Sequence, residues 1–488
     1  MDPPMTVGKQ FQDDAKSAGS GSVELEKHSE VIGHTTDQDY DLQKLQVNER
    51  RALAKIDFRV VPVLCILYLL AFLDRVNIAN AALFGLKEDL KLGGTEYNTA
   101  LVIFFVPYVG LPRIIVASWP RDFSWVREDL TKKPLFPTHE LLGLFESGMF
   151  PGCFYLLAMW YRREEAQKRY TFFFCSTTLA GAFGGLLASA IGKMDGIRGY
   201  RGWRWVFILE GLLTCVVSFV LFFLIADFPE QVKWLSAEEK RWVKRRLYDD
   251  VGNSQVDNSI TFRSSLDVLK DYKVLVGGLM YFGLIVPAYG YAYFAPAIIQ
   301  GLGYGPIRTQ LLSVPPWAAA FGLAMCLATI SDAVRHRFIF TIIPPAIGLA
   351  GFVILMKENH NIHLRYAAIF LAAAGTYAAM PIIVCWFNTN LAGHRRRAVA
   401  TGWQVGFGNI GGIIAAYSFL AKDAPRYITG YSICIAFICL SMLSCGVYFL
   451  GLVWENRQRD RGQVRGVDLP PEEKEKMGDL NPDYRYLL

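Results

Sequence analysis

Residues 60–80 read VVPVLCILYLLAFLDRVNIAN, and this stretch decides how the rest of the chain is interpreted. Residues 60–73 carry no charge, as expected for much of a helix that crosses a bilayer. An acid and a base then follow side by side, Asp74 and Arg75, with Asn77 and Asn80 beyond them. Ionisable groups inside such a segment usually face a helix bundle rather than lipid, so the stretch predicts a membrane helix with a polar site.

The apolar pattern recurs along all 488 residues, of which 52% are hydrophobic and 19% charged. Uncharged runs occupy 170–191, 274–299, 311–330, 338–356, 366–393, 398–421 and 427–454. Three more runs, 58–80, 141–161 and 205–226, are interrupted inside by one acid or one acid–base pair, and the first also has Arg59 near its start. An eleventh, 101–119, is weaker because it holds Arg113 and two prolines. We therefore predict an all-α polytopic membrane protein with about eleven recognisable transmembrane helices.

Positive charge is concentrated in the short loops between these runs. The formal net charge is +6, and bases cluster at 162–169, 335–337, 395–397 and 457–461. Loops rich in lysine and arginine stay on the cytoplasmic side of a membrane. The charge therefore predicts membrane topology, with both termini cytoplasmic, and it does not indicate nucleic-acid binding. We expect the protein to lie in the plasma membrane.

Polar stretches divide the chain into five parts. We predict a disordered cytoplasmic tail (1–55), an N-terminal helix bundle (56–226), a cytoplasmic central loop (227–273), a C-terminal bundle (274–455) and a cytoplasmic C-terminal tail (456–488). Inside the central loop, Ser236 and Glu239 have the spacing of a capping box at the start of an amphipathic helix. Two bundles joined by a loop are typical of transporters whose site lies between the halves.

Several longer motifs support this plan. They are FLDRVNIANA (72–81), GLFESGMFPGCFYLLAMWYRREEAQKR (143–169), DFPEQVKWLSAEE (227–239) and NTNLAGHRRRAVATGWQVGFGNIGGIIA (388–415). These motifs resemble fungal members of the major facilitator superfamily, and more narrowly the anion:cation symporter family of allantoate, nicotinate, pantothenate and biotin permeases. The resemblance implies a fold of twelve helices in two halves and proton-coupled transport of small organic anions.

One segment departs from the family pattern. Residues 111–140 fall where the family has the end of helix 2 and all of helix 3, yet five bases and three acids lie between Arg113 and Lys133. Each charge at mid-bilayer costs roughly 2.5–3.5 kcal/mol, so the segment should not span. Helix 3 is then missing or degraded, and the later basic loops would lie on the outer side of the membrane instead of the cytoplasmic side. We favour a splicing or gene-model error, with a genuine eleven-helix protein as the alternative.

The charged pair at 74 and 75 is the first candidate site. If its helix starts near Phe58, Asp74 lies about 24 Å along it, deep in the outer half of the bilayer. Arg75 can bind a carboxylate through its planar fork, and Asp74 can gain and lose a proton. The resemblance implies that this pair couples proton binding to anion binding. An ion pair that anchors the helix end is the alternative.

Further candidates lie on other predicted helices. Glu146 would be a second protonatable group, unless it serves packing, and His139 replaces an arginine of the family two turns before it. Gln404 and Asn409 would bind substrate, or else hydrogen-bond to neighbouring helices.

Glu210 is expected to be structural. Tyr289, Tyr291 and Tyr293 alternate, so at most two of them can line a cavity. Asp332, Arg335 and Arg337, in SDAVRHR (331–337), resemble the loop motif that latches helices together.

These observations predict a secondary active transporter and no enzyme. We expect proton-coupled symport of a small organic anion, a carboxylate nutrient or vitamin-like compound, by alternating access. The expected partners are the anionic substrate, protons and the lipid bilayer, without nucleic acid, metal or cofactor, and the expected functional unit is a monomer. Export of a metabolite or drug, nutrient sensing without turnover, and an inactive chain from a faulty gene model are the alternatives.

The anomalous segment generates a direct test. Sequencing the transcript across the codons for residues 105–145 is expected to reveal additional coding sequence with an apolar run, because the topology otherwise fails. A transcript that encodes the segment as written would contradict this expectation and favour the eleven-helix or the inactive chain.

Overall fold

Helices account for most of the described chain. The computed structural model describes residues 47–93, 95–108, 135–251, 262–334, 336–392, 394–463, 470 and 478–488. The helices are α1 (Glu49–Ala82), α2 (Glu96–Ile103), α3 (Leu135–Glu146), α4 (Met149–Ala158), α5 (Arg163–Phe174), α6 (Ser176–Ile191), α7 (Gly202–Phe222), α8 (Ala237–Val251), α9 (Phe262–Leu269), α10 (Tyr272–Gln300), α11 (Pro306–Val334), α12 (Phe338–Lys357), α13 (Ile362–Thr389), α14 (His394–Ser418) and α15 (Ile428–Asp460). Single helical turns lie at Leu86–Asp89, Gly192–Met194, Ile197–Gly199, Ala421–Asp423 and Gly478–Leu480.

Nine helical segments of the described chain are long and apolar enough to cross a membrane. They are Glu49–Ala82, Thr138–Ala158, Gln167–Met194, Gly202–Phe222, Tyr272–Gln300, Pro306–Val334, Phe338–Lys357, Ile362–Thr389 and Ile428–Asp460. Each matches one of the eleven predicted spans. The predicted span 398–421 falls on α14, whose glycines, Gln404 and Asn409 make it more polar than the rest. The predicted span 101–119 passes beyond Tyr108, and residues 109–134 of the anomalous segment lie outside the described residues.

Three boundaries differ from the sequence-based expectation. Helix α1 begins at Glu49, so the last residues of the predicted disordered tail are helical, while residues 1–46 lie outside the described residues. Helix α15 continues to Asp460, past the predicted start of the C-terminal tail. Helix α10 begins at Tyr272, two residues before the predicted start of the C-terminal bundle, and runs to Gln300 through the prolines at positions 287 and 296.

Glycines allow several of the helices to approach closely. We refer to α1–α7 as the N-terminal half and to α10–α15 as the C-terminal half. A Cβ atom added to Gly181 of α6 would lie 2.3 Å from the Trp317 ring of α11, across the two halves. Within the C-terminal half, a Cβ atom on Gly408 of α14 would lie 2.3 Å from Tyr281 of α10. Close packing of small residues holds helices together in lipid, where no hydrophobic effect drives them together.

The predicted capping box is confirmed at the start of α8. The Glu239 backbone N–H donates to Ser236 Oγ at 3.1 Å, and Glu239 Oε2 accepts from the Ser236 N–H at 2.8 Å. Lys55 of α1 also donates to Glu239 at 2.9 Å. Desolvation alone would raise the pKa of Glu239. The hydrogen bonds from Lys55 and Ser236 outweigh it and lower the pKa below its ordinary value. This helix is therefore attached to the N-terminal half by an ion pair.

Helices α12 and α13 generate a prediction about packing. A Cβ atom on Gly375 would lie 2.2 Å from the backbone nitrogen of Gly348, which cannot move without the helix. Gly375→Ala should lower the free energy of unfolding by about 1–3 kcal/mol, the usual cost of overpacking. The measurement is the thermal unfolding midpoint of the purified protein in detergent.

The control is Gly322→Ala on α11, where an added Cβ meets nothing within 4 Å. Since alanine is the better helix former, this variant should be as stable as the wild type or slightly more stable. Equal midpoints for the two variants would contradict the close approach of α12 and α13.

Candidate functional site

Arg75 lies at the centre of the polar groups that the helices bring together. Its side chain is 3% exposed on α1. Its Nη2 donates to Glu146 Oε2 at 2.7 Å, and its Nη1 donates to the Tyr289 hydroxyl at 2.5 Å. Glu146 ends α3 and Tyr289 lies within α10, so a single guanidinium joins helices of both halves. A buried charge needs such partners, because removing one of them leaves the other uncompensated.

Tyr289 extends this contact to a third helix. Its hydroxyl donates to Asn409 Oδ1 at 3.2 Å, and Asn409 Nδ2 donates to the carbonyl of Val405 one turn earlier in α14 at 2.8 Å. Asn409 is buried. We call Arg75, Glu146, Tyr289 and Asn409 the central cluster. It joins two of the predicted site residues, Arg75 and Glu146, to a third, Asn409, through a tyrosine.

Aromatic rings surround the Arg75 guanidinium. Its Cζ lies 4.4 Å from the ring centroid of Phe104, 4.8 Å from that of Tyr108 and 6.0 Å from that of Tyr289. Phe105 packs edge-on against Tyr289, with the centroids 4.9 Å apart. A cation over an aromatic face gains about 0.5–2 kcal/mol, more when water is excluded. The rings thus stabilise the charge and supply an apolar wall beside it.

The central cluster keeps unused hydrogen-bonding capacity. Within the described part of the chain, Arg75 Nε and Glu146 Oε1 are buried and have no hydrogen-bond partner. His139, also buried, lies two turns before Glu146 on α3, and its Nδ1 has no partner among the same residues. Buried polar atoms are almost always hydrogen-bonded, so these atoms have the capacity to bond to a polar ligand.

Asp74 makes its side-chain hydrogen bond outside the central cluster. Its Oδ1 accepts from the Thr214 hydroxyl of α7 at 3.1 Å. Neighbouring residues of an α-helix point about 100° apart, which separates Asp74 from Arg75 although they adjoin in sequence. Glu210, one turn before Thr214, is buried, and neither of its oxygens has a hydrogen-bond partner among the described residues. The structure therefore groups Asp74 with α7 and Arg75 with α3 and α10.

Gln404 serves a different set of contacts from Asn409. Its Nε2 donates to the Gly277 carbonyl of α10 at 3.2 Å, and its Oε1 accepts from Asn388 of α13 at 3.5 Å. Thr401 in turn donates to Asn388 Oδ1. These bonds join three helices of the C-terminal half, which fits the interhelical alternative better than substrate binding.

Hydrogen bonds also join the halves at both ends of the bundle. At the end that carries most basic loops, which we call the basic end, Arg337 Nη1 donates to Gln167 Oε1 at 2.5 Å, and its Nη2 lies 3.4 Å from Asp332 Oδ1. Of the predicted latch, Arg335 lies outside the described residues. At the opposite end, Asn98 Nδ2 donates to the Ala416 carbonyl at 2.6 Å. The central cluster thus lies between two contacts that link the halves.

Sequence reasoning missed the aromatic shell. Phe104 and Tyr108 belong to the run FFVPY (104–108), directly before the anomalous segment. An aromatic-rich turn of a membrane helix was the only signal, and it does not specify a partner. Of the three alternating tyrosines, Tyr289 belongs to the central cluster, whereas Tyr291 packs edge-on against Trp317 with centroids 4.9 Å apart.

Known proteins resemble the chain over most of its length. The model of the Major Facilitator Superfamily matches residues 141–416. The MFS-type transporter cnsO of Penicillium expansum is 32% identical over 90% of this chain and 91% of its own length. The high-affinity nicotinic acid transporter of Saccharomyces cerevisiae is 29% identical over 95% of this chain and 90% of its own.

Solved structures resemble the chain as well. A structure of the proton:xylose symporter XylE is 18% identical, covers 80% of this chain and 88% of its own, and has a TM-score of 0.47. The family model covers more than half of the chain, and the 32% identical relative aligns over nine tenths of it. The resemblance to fungal members that the motifs predicted is thereby confirmed, and the chain belongs to the Major Facilitator Superfamily of membrane transporters.

Proposed function

We propose that this protein is a proton-coupled symporter that carries a small organic anion across the membrane by alternating access. The observation that carries the proposal is the buried contact of Arg75 with Glu146, whose Nε and Oε1 atoms lack partners among the described residues. A permanently charged guanidinium between two halves of a transporter suits a carboxylate ligand. The carboxylate of Glu146, which takes part in the same contact, can bind the proton.

Competition for Arg75 links the two ligands. While Glu146 is ionised, it occupies Nη2 of Arg75 and repels a second carboxylate. When Glu146 takes up a proton, its charge is lost and Arg75 can bind the carboxylate of the substrate. A monoanion and one proton then cross together with no net charge, which keeps the buried site electrically balanced. We retain Asp74, beside Thr214, as a second proton-binding candidate.

The surroundings of Arg75 narrow the substrate class. Phe104, Tyr108 and Tyr289 offer ring faces, and Asn409 offers an amide that can bond to a polar group of the substrate. A small carboxylate with a planar or apolar body fits such a site. The similarity to a transporter named for nicotinic acid supports this class without identifying the substrate.

Orientation and organisation complete the proposal. Basic loops face the cytoplasm, so we place the basic end of the bundle and both termini on the cytoplasmic side. We retain the plasma membrane as the proposed location. The halves, residues 56–226 and 274–455, would separate alternately at the contact of Arg337 with Gln167 and at the contact of Asn98 with Ala416. The protein would act as a monomer, since the central cluster is built within a single chain.

The buried ion pair can be tested without a substrate. Arg75→Met leaves Glu146 without its charged partner and should lower the free energy of unfolding by about 3–5 kcal/mol. Arg75→Met combined with Glu146→Gln should recover most of that loss, because no uncompensated charge remains. The measurement is the thermal unfolding midpoint of the single and double variants in detergent.

The control is Lys244→Met, which removes an exposed partner of Glu230 with both side chains more than half exposed. An exposed ion pair contributes only about 0–1 kcal/mol to the free energy of unfolding, so the midpoint of this variant should stay close to that of the wild type. If the double variant is no more stable than Arg75→Met alone, the two side chains do not form a coupled buried pair.

Transport gives the direct test of coupling. Cells that express the protein are offered a panel of radiolabelled carboxylates, nicotinate among them, at about pH 5 and about pH 7. Uptake should rise at the lower pH and collapse with a protonophore, since each pH unit supplies about 1.4 kcal/mol per proton. Glu146→Gln should lose both responses yet still exchange labelled for unlabelled substrate.

Glu230→Gln, an exposed carboxyl remote from the cluster, should retain both responses. Uptake that ignores pH and protonophore in the wild type would refute proton coupling. Faster loss of preloaded substrate would indicate export, binding without flux would indicate a sensor, and neither binding nor flux across the panel would support the inactive chain.

A further inference from the structure

The last eleven residues, Gly478–Leu488, lie against the basic end of the C-terminal half. We call them the strap. They contact the ends of five helices there, at Lys273 of α10, Arg337 before α12, Asn390 after α13, Arg396 of α14 and Asn456 of α15. A solvated tail would make few such contacts. The arrangement is instead that of a peptide in a matching site.

Two asparagines hold the strap backbone. Asn390 accepts from the Leu487 N–H at 2.7 Å and donates to the Leu487 carbonyl at 3.0 Å. Asn456 does the same for Tyr486, with both distances 3.0 Å. The Trp386 indole N–H also donates to the Leu487 carbonyl at 2.8 Å. Each amide side chain thus satisfies both polar groups of one residue, as a neighbouring β-strand would.

Side chains of the strap are buried in the same site. The Tyr486 ring is 3% exposed, and its hydroxyl accepts from Lys273 at 2.9 Å and from Arg459 at 3.0 Å. The Asp479 side chain is fully buried and lies 2.9 Å from Arg396 Nε. Lys273 and Arg459 therefore bind the Tyr486 hydroxyl, and Arg396 pairs with the Asp479 carboxylate. This charge and shape complementarity selects this sequence rather than any polar peptide.

The strap is also bonded to the contact that joins the halves at this end. The backbone N–H of Arg337 donates to the Leu488 carbonyl at 2.7 Å. The Arg337 side chain donates to Gln167 of α5 in the N-terminal half. One residue therefore bonds to the strap through its backbone and to the opposite half through its guanidinium.

We propose that the basic end of the C-terminal half is a binding site for the strap, and that strap binding keeps the contact between Arg337 and Gln167 closed. When the strap leaves, Arg337 loses a backbone partner and the five helix ends lose their common ligand. The halves then separate more readily at this end. The strap acts as an intramolecular ligand that sets the balance between open and closed states.

Natural cysteines report both parts of the proposal. Cys385 is buried on α13 next to Trp386, whose indole N–H donates to the strap. Cys175 is buried where α6 begins and packs with Ala324 and Ala378 of the other half, so it becomes reachable only when the halves separate. Cys434, buried at the opposite end of α15, serves as the reference for intact folding.

The experiment compares Tyr486→Ala with its neighbour Arg485→Ala in the full chain. The Arg485 side chain is 45% exposed and pairs with Asp460 on the surface, so it is the matched control. Purified protein is treated with N-ethylmaleimide, and alkylation of each cysteine is followed by peptide mass spectrometry. Tyr486→Ala should raise the rates at Cys385 and Cys175 about tenfold, as expected for loss of one or two buried hydrogen bonds, with Cys434 unchanged. Arg485→Ala should leave all three rates unchanged.

The remaining outcomes each decide a point. Unchanged rates in Tyr486→Ala would overturn strap binding, and a rise at Cys385 without a rise at Cys175 would overturn control of the halves. If Cys434 also rises, the variant is unfolded and the test passes to a chain that ends at Met477, with the synthetic peptide GDLNPDYRYLL added. The peptide should restore protection at Cys385 and Cys175, whereas the same peptide with Tyr486→Ala should not. Failure of the unmodified peptide would overturn the proposal.

Discussion

A guanidinium that stays charged at every accessible pH dictates the architecture around it. Arg75 is buried among membrane helices, where an uncompensated charge costs several kcal/mol. Glu146 from α3 balances the charge, Tyr289 from α10 accepts a second hydrogen bond, and ring faces cover what remains. Two helices, α3 and α10, and the aromatic segment that follows α2 must therefore converge on α1. That convergence brings the two halves together at one point of the bundle.

The contacts at the two ends of the bundle differ in kind from the central one. An ion pair and a cation on aromatic faces hold the centre, while the ends depend on amides, one arginine and backbone carbonyls. A single hydrogen bond contributes only about 0.5–1.5 kcal/mol net, or up to about 3 kcal/mol where one partner is charged. Contacts of that strength can form and break within a transport cycle. The central ion pair cannot break without a substitute partner, and under the proposed mechanism this requirement would couple ligand binding to motion.

Features set by neighbouring residues could be predicted from the sequence, whereas contacts between distant residues could not. Uncharged runs are local, so nine of the predicted spans match long apolar helices of the described chain, and a tenth falls on α14. Arg75 and Glu146 are 71 positions apart, and nothing in their spacing predicts that they touch. Asp74 was paired with Arg75 because they adjoin, although helix geometry turns neighbours to different faces. Asn409 and Gln404 could not be separated, since a polar residue in an apolar helix predicts burial without naming a partner.

Helix α14 has a consequence for how the protein is made. It carries Asn409 and Gln404 with many glycines, and it falls outside the nine strongly apolar segments of the described chain. The free energy of inserting a helix into lipid depends on how apolar its residues are, so insertion of α14 by itself is less favourable than that of those nine segments. Tyr281 and Gly277 of α10 cover parts of α14 that lipid would otherwise meet. We therefore expect α14 to be held in the membrane by α10, which precedes it in the chain, so that the polarity of Asn409 makes the biogenesis of this half depend on order.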